Sequence, residues 1–445
     1  LRALGNFGCK KMFEGRSGFK DKKYFMLKND AICVDGKNGA AIYDFENKVI
    51  YSIDLRISKL IQKCAKGHEI EKSLRGVKGS EKVMIYDYLE KLANYNLGSF
   101  SDHYFIQELI PPHWSIKNRD NTRSMELERL YIEICKSCNL DCIYCNDSNG
   151  RTSICSCTRL STKKDAKPKA LPLSILKAVI DDSQKLECKE LIIMGGEPFI
   201  EKEELLILIE FVHNKIPLIR IKSNLLLLDD DILHYLKRYR IEIETTFFSF
   251  EERIYDQITN TVGNLKKWVE NCRRLIENDV DIYVKIPLIY LNRDCINKNI
   301  EILSKIGIKR EHISTSLVYS LDDKIWPPEH KDFLYKTIKH IKEISKDQYF
   351  NNREKNPCWF GKINITHEGS IVPCPIAKSF EIGNVKKQRL LDVLRRGLQL
   401  KYWTLTKDKI IKCKTCEFRY ACSDCRPIES KDNSLTAENR FCTVY

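Results

Sequence analysis

Three thiols fall within eight residues, Cys138, Cys142 and Cys145, spaced Cys-x3-Cys-x2-Cys. Thiolates are the soft donors that hold iron–sulfur clusters. A four-iron cubane takes four ligands, so three local thiols leave one iron open to bind and activate another molecule. Zinc is the competing occupant, but a structural zinc site closes with four ligands and its pairs are usually spaced Cys-x2-Cys. A second thiol set lies distally at Cys358, Cys374, Cys413, Cys416, Cys422, Cys425 and Cys442. Its order is Cys-x10-Gly-x4-Cys, then Cys-x2-Cys-x5-Cys-x2-Cys, then a last Cys. Taken alone, residues 413–425 read as a zinc ribbon.

These loops need elements to hold them. Leu130–Ile134 reads as a buried strand that delivers the first thiol loop, and Leu191–Met194 as a second strand ending in Gly195-Gly196-Glu197-Pro198. Further strands are expected at Leu218–Ile221, Ile241–Phe248, Ile282–Ile289 and Ile313–Tyr319. Helical spacing separates them at Leu173–Leu186, Glu201–Val212, Asp229–Tyr239, Asn264–Ile276, from Asn297, and at Phe333–Ile344. Six βα units in sequence imply parallel strands. Active groups of βα barrels gather at the carboxyl ends of strands, which puts the thiol loop and the Gly-Gly-Glu-Pro turn on one face.

The loop, the Gly-Gly-Glu-Pro turn and the distal thiols occur in the order of the radical S-adenosylmethionine (SAM) superfamily, which the chain resembles over roughly residues 126–445. The distal set is similar to the SPASM domain of peptide- and protein-modifying members. The resemblance implies an α/β fold, a (β/α)6 partial TIM barrel followed by an iron–sulfur SPASM domain. It implies a [4Fe-4S] cluster on Cys138, Cys142 and Cys145, with SAM on the open iron. Gly195 and Gly196 would let backbone carbonyls approach the methionyl amine without a Cβ in the way. Glu197 would hold the amine or brace the turn, and Pro198 would stiffen its exit. Tyr144 would lie near the adenine or simply pack. Lys222-Ser223-Asn224 resembles the family's Thr-Asn-Gly, with Leu225 in place of the glycine. Ser223 and Asn224 are therefore candidate SAM contacts, with the local turn in question. Thr245, Thr246 and Ser249 would reach the ribose or bond to backbone.

By position, Cys413, Cys416, Cys422 and Cys442 would hold one auxiliary [4Fe-4S] cluster, and Cys358, Cys374 and Cys425 another. The fourth ligand of the latter is open among a further cysteine, water and a substrate thiolate. The final x2 spacing, where the family has x3, leaves open that one cluster is altered. Residues Tyr420–Arg426 resemble the maturases that occur with ATP-grasp ligases, the grasp-with-spasm type. Cys135, Cys155 and Cys157 read as spare ligands, redox-sensitive sites or bystanders; Cys188, Cys272 and Cys295 read as small core residues.

The 445 residues suffice for two or three domains. With 43% hydrophobic and 31% charged residues, the composition is that of a soluble globular protein. No run approaches the roughly 20 apolar residues that span a bilayer, and no export signal is visible, so a cytoplasmic location is expected. The first residue is Leu rather than Met, which suggests a missing N-terminus. Nineteen cysteines at ligand spacings argue for clusters over disulfides. The net charge of +14 is read first as a lysine-covered surface, then as a complement to an acidic peptide; nucleic acid is a weaker partner.

The expected divisions are an irregular lead-in at 1–22, a winged-helix-like unit at 23–98, a linker at 99–126, the barrel at 127–350 and the SPASM domain at 351–445. Residues 23–98 read as three or four antiparallel strands followed by helices. This is similar to the leader-recognition element of peptide maturases, which adds a leader as an extra strand; a module with no recognition role is the alternative. The expected function is a radical SAM maturase acting on a ribosomally made precursor peptide. Its partners would be that peptide with its leader, an electron donor such as flavodoxin or ferredoxin, and an ATP-grasp ligase. A side-chain oxidase like anaerobic sulfatase maturases, a non-enzymatic cluster-bearing leader-binding partner of a ligase, and a nucleic-acid-modifying enzyme are the competing readings. No general base can be chosen from the sequence.

Overall fold

The computed structural model describes residues 22–105, 127–145, 171–320, 322–335, 341, 343–422, 425–430 and 434–444. The lead-in up to residue 21, most of the expected linker, and the 146–170 insertion with Cys155 and Cys157 lie outside the described residues.

A nine-stranded sheet carries the main body. Six of its strands follow the chain: β6 (Arg129–Cys135), β7 (Glu190–Gly195), β8 (Leu218–Ser223), β9 (Glu242–Thr246), β10 (Ile282–Leu288) and β11 (Ile313–Leu317). Each is parallel to the next. The other edge of β6 takes β12 (Lys362–Ile365), also parallel. An antiparallel extension follows, β13 (Ser370–Val372) and β14 (Gly383–Asn384). The distal thiol region therefore begins as a continuation of the same sheet.

The two faces of the six strands differ. Leu130, Leu191, Ile219, Ile221 and Ile243 lie in one large core beneath the helices. On the alternate positions the register sets Tyr131 beside Ile192, Arg220 and Glu242. Next along come Lys222, Glu244 and Tyr283. The strands thus have one apolar face and one charged face, as period-2 geometry requires. The i, i+2 repeats Arg220/Lys222 and Glu242/Glu244 are the sequence signal that marks the second face.

Of the helix expected at Phe333–Ile344, residues 336–340 and 342 lie outside the described residues; just before them runs a 3-10 segment, Pro328–Leu334, with Pro327 at its N-cap and Pro328 at its first position. Two elements differ from expectation. A helix at Glu252–Thr259 was not anticipated; Asn260 in the left-handed region and the turn at 261–263 separate it from the next helix, Asn264–Glu277. The expected linker begins with a strand, β5 (Gly98–Ser101), which pairs antiparallel with β1 (Tyr24–Leu27). This strand closes the N-terminal unit on itself, and Gly98 is required there because a Cβ would sit 2.5 Å from the Met26 carbonyl oxygen.

The rest of that unit is a three-stranded antiparallel sheet, β2 (Ala31–Asp35), β3 (Ala40–Asp44) and β4 (Val49–Ile53), with helices Leu55–Cys64 and Gly79–Asn94. One face packs on those helices through Ala40, Ile42, Leu60 and Leu89. The other packs on the distal region: Val34, Ala41, Tyr43 and Phe45 share a core with Tyr349, Phe350, Phe418 and Tyr420. The β2–β3 turn rests on the Cys413–Cys416 segment. Lys37 N–H donates to the Thr415 carbonyl at 2.7 Å, and the Tyr43 hydroxyl to the Glu417 carbonyl at 2.9 Å. A Cβ on Gly36 would lie 2.9 Å from the Glu417 backbone nitrogen.

Phe418 is 1% exposed at the centre of this contact. Phe418→Ala is expected to cost about 3–5 kcal/mol. Hydrogen exchange should then show faster exchange in Ala40–Asp44; unchanged protection there would contradict the docking.

Candidate functional site

The carboxyl ends of β6, β7 and β8 are tied together by backbone. After β6 the chain turns so that Gly196 N–H donates to the Cys135 carbonyl at 3.0 Å and Glu197 N–H to the Ser137 carbonyl at 2.8 Å. The approach leaves no room for a side chain. A Cβ on Gly196 would lie 1.9 Å from the Ser137 oxygen, and one on Gly195 2.4 Å from the Cys135 oxygen. The glycine pair is therefore required by the thiol loop itself, before any ligand is considered.

Glu197 is fully buried. Its carboxylate accepts from the Ser223 hydroxyl at 2.7 Å and from the backbone N–H groups of Asn224 at 2.7 Å and Phe199 at 3.1 Å. Of its two expected roles, bracing the turn is the one these bonds describe. Pro198 opens the 3-10 turn that Glu197 caps. Asn224 in turn reaches the thiol loop: its amide donates to Asn139 Oδ1 at 2.8 Å and approaches Cys138 Sγ at 3.5 Å. Leu225, where the resemblance has glycine, keeps the left-handed turn at φ +66°. That conformation costs an L-residue about 1–2 kcal/mol. Asn271 holds it by donating to the Leu225 carbonyl at 2.8 Å.

The far side of the loop is held by the helix Glu252–Thr259. Ile143 N–H donates to the Ile258 carbonyl at 2.9 Å, and the Asn260 amide to Asp141 at 3.1 Å. A cavity of about 620 Å³ lies between these walls, lined among others by Cys138, Cys142, Cys145, Gly195, Gly196 and Asn224. Tyr144 also lines it, 5% exposed, with its ring 5.6 Å from that of Phe248. Thr246 faces the cavity, whereas Thr245 and Ser249 do not line it: Thr245 Oγ1 accepts from Trp268, and Ser249 Oγ from the Glu251 N–H. Leu140, Met194, Lys222, Glu244, Phe248 and Tyr255 also line it, none of them a site residue expected from the sequence.

Lys222 and Glu244 form the charged part of the lining, paired at 3.2 Å. Burial pushes the Glu244 carboxyl up, but Lys222 and Lys285 outweigh it and hold the group below the usual carboxylate range. Below them Arg220 pairs with Glu242 at 2.5 Å and with Glu190, which also pairs with Arg129.

The distal thiols fall into two neighbourhoods. Burial first, then Glu417, Cys422 and Cys413, push the Cys416 thiol up to about 12. Cys442 adds its field at Lys412, next to Cys413. These four are the expected first set. Cys374 is buried in the main core, with Cys358 and Cys425 packed against that core. Trp359 Nε1 donates to Cys374 Sγ at 3.3 Å. Among the described residues, no three His, Cys, Asp or Glu groups crowd one point as a single metal ion requires. Cys135 donates to the Glu197 carbonyl at 3.3 Å, and Cys188, Cys272 and Cys295 are buried.

Comparison with known proteins follows the same division. Residues 132–318 match the model of the radical SAM superfamily, and residues 358–426 that of an iron–sulfur cluster-binding domain, SPASM. GTP 3',8-cyclase of Clostridium perfringens strain 13 is 28% identical over 194 residues, 42% of this chain and 53% of that protein. The same enzyme of strain SM101 is 28% identical over 171 residues, 37% and 47% of the two chains. The chain spans about half the length of these curated relatives. Among solved structures, Streptococcus suis SuiB bound to precursor peptide SuiA matches 93% of this chain and 98% of its own, with TM-score 0.52 and 16% identity. The structure of anSMEcpe with bound AdoMet matches 70% and 90%, with TM-score 0.52 and 15% identity. These likenesses are of fold.

Two outcomes test the site. Glu197→Gln places an amide N–H₂ among donors; it should cost about 1–3 kcal/mol in thermal unfolding, and no change would remove Glu197 as the brace. A depressed carboxylate contributes stability above its unfolded pKa and loses it as pH falls through the folded value. Lys222→Met therefore should raise the pH of the acid-unfolding midpoint, read by circular dichroism.

Proposed function

We propose, from the premise that this chain is a radical SAM enzyme carrying a SPASM domain, that it modifies a ribosomally made precursor peptide to an oxidised or cross-linked product. The observation that carries the reading is the gathering of Cys138, Cys142 and Cys145 with Gly195, Gly196 and Asn224 around one cavity. Three thiols on one wall suit a cubane with one open iron, and the cavity beside them suits a nucleoside-sized ligand. With cluster and SAM in place, the pair supplies a 5′-deoxyadenosyl radical able to take hydrogen from carbon.

The chain's residues do the positioning. Cys138, Cys142 and Cys145 hold the cluster. The Gly195-Gly196 backbone, with Ser223 and Asn224 set by Glu197 and Pro198, receives the methionyl end. Tyr144 and Phe248 offer an aromatic wall to the adenine. The charged sheet face, with Glu244 and Lys222, borders a water-poor lumen, and the six parallel strands curve as a (β/α)6 partial barrel. Cys413, Cys416, Cys422 and Cys442 hold one auxiliary cluster; Cys358, Cys374 and Cys425 hold the other.

The N-terminal unit is a winged-helix-like leader reader. Its support is an open groove beside β2, lined by Ala31, Ile32, Cys33, Ile61 and Gln62. A leader strand added to that edge would gain main-chain hydrogen bonds and side-chain pockets. A flavodoxin- or ferredoxin-type donor and an ATP-grasp ligase complete the system, in the cytoplasm. No helix among the described residues is long and apolar enough to cross a membrane.

Anaerobically reconstituted wild type should release 5′-deoxyadenosine from SAM on reduction with dithionite, and Cys142→Ala should release none. Unchanged turnover in the variant, or zinc without sulfide in the purified protein, would reject the assignment.

A further inference from the structure

A second polar cluster forms where β6 meets β12. These strands are parallel, so their carboxyl ends lie at the same end of the sheet as the Cys138–Cys145 loop. Glu133, near the end of β6, is the cross-strand neighbour of Met194, which lines the cavity. The Glu133 carboxylate accepts from Asn364 Nδ2 at 3.2 Å and Lys378 Nζ at 3.2 Å, and His367 Nδ1 stands 3.5 Å from it. Glu133 is 3% exposed and His367 6%. Burial pushes the Glu133 carboxyl up, but His367 and Lys378 outweigh it and keep it ionised.

Two atoms of this cluster, Asn364 Oδ1 and His367 Nε2, are buried without a hydrogen-bond partner. Leaving such an atom unpaired costs about 1–3 kcal/mol, so each calls for a polar partner, from solvent or from a ligand. An ionised carboxylate only accepts, so Nδ1 facing Glu133 carries a proton, and in the neutral imidazole Nε2 then keeps its lone pair. The other charged groups around the ring are Lys378, whose ammonium is engaged by Glu133, and Glu368, an exposed side chain 3.7 Å from Nε2.

Resting on the peptide-maturase reading, we propose that His367 is a substrate-facing acid–base residue, that Glu133 positions it, and that its Nε2 accepts the proton of an O–H, S–H or N–H group on the bound peptide. In that transfer the X–H bond breaks heterolytically. The electron pair stays on X, the proton passes to Nε2, and Glu133 balances the imidazolium. Asn364 Oδ1 is the adjacent acceptor for a peptide N–H.

Nitrogen-15 NMR of histidine-labelled, oxidised full-length holoprotein tests the assignment without turnover. The expected wild-type signal is the neutral Nδ1–H tautomer, and Glu133→Gln should shift it toward Nε2–H. An Nε2–H tautomer in the wild type, or an imidazolium that persists to about pH 9 with Glu368 as its second partner, overturns the proposal. The second arm co-expresses the chain with a short peptide encoded next to its gene, taken as the candidate precursor. His367→Gln should raise the ratio of 5′-deoxyadenosine released to peptide product at least about tenfold; a ratio within about twofold of wild type overturns it. A wild type that cleaves no SAM would sink the maturase reading instead, and the tautomer result would still decide the state of His367.

Discussion

One buried carboxylate holds the catalytic end of the sheet together. Glu197 enters from the end of β7 and accepts three donors, two of them from the end of β8. Its own backbone is bonded to Ser137, at the start of the thiol loop. Three strand ends thus meet at one buried residue, two through its carboxylate and one through its backbone. A buried charge is tolerated only when hydrogen-bonded on all sides. The geometry of the thiol loop, the turn and Asn224 is therefore one decision rather than three. The glycine pair makes it possible by letting two backbone segments touch where any Cβ would collide.

The charged face of the sheet works under a different constraint. Arg129, Glu190, Arg220, Glu242, Glu244 and Lys222 alternate in sign across four strands. Paired ions out of water contribute little net stability compared with hydrocarbon of the same volume. Their value lies in leaving a polar, pre-ordered surface next to the cavity, where an apolar core would close the interior. Oriented charges of this kind need no reorganisation when a polar substrate arrives.

Much of this was legible in the sequence because it is written in local spacing. Six strands and most intervening helices follow from periodicity, and the thiol and glycine motifs lie at strand ends as the βα rule requires. Leu225 was flagged as a departure from glycine, and the chain accommodates it by strain rather than by abandoning the turn. The losses share a cause: they depend on what packs against a segment. Residues 98–101 look like linker because the partner that makes them a strand lies more than 70 residues earlier. Thr245 and Thr246 are adjacent hydroxyls, and only strand register decides which one faces the cavity. Glu133 and His367 are over 230 residues apart and carry no motif at all.

The seating of the β2–β3 turn on the Cys413–Cys416 segment bears on how such a chain can be dissected. The first and last domains share an interior built from Tyr43, Phe45, Tyr349 and Phe418, although most of the polypeptide separates them. Cutting away the amino-terminal unit would therefore strip one wall from the cysteine-bearing tail. Grafting it onto a foreign α/β body would require transplanting the tail as well. Substitutions that leave this seam intact would be confined to the surface that faces away from it.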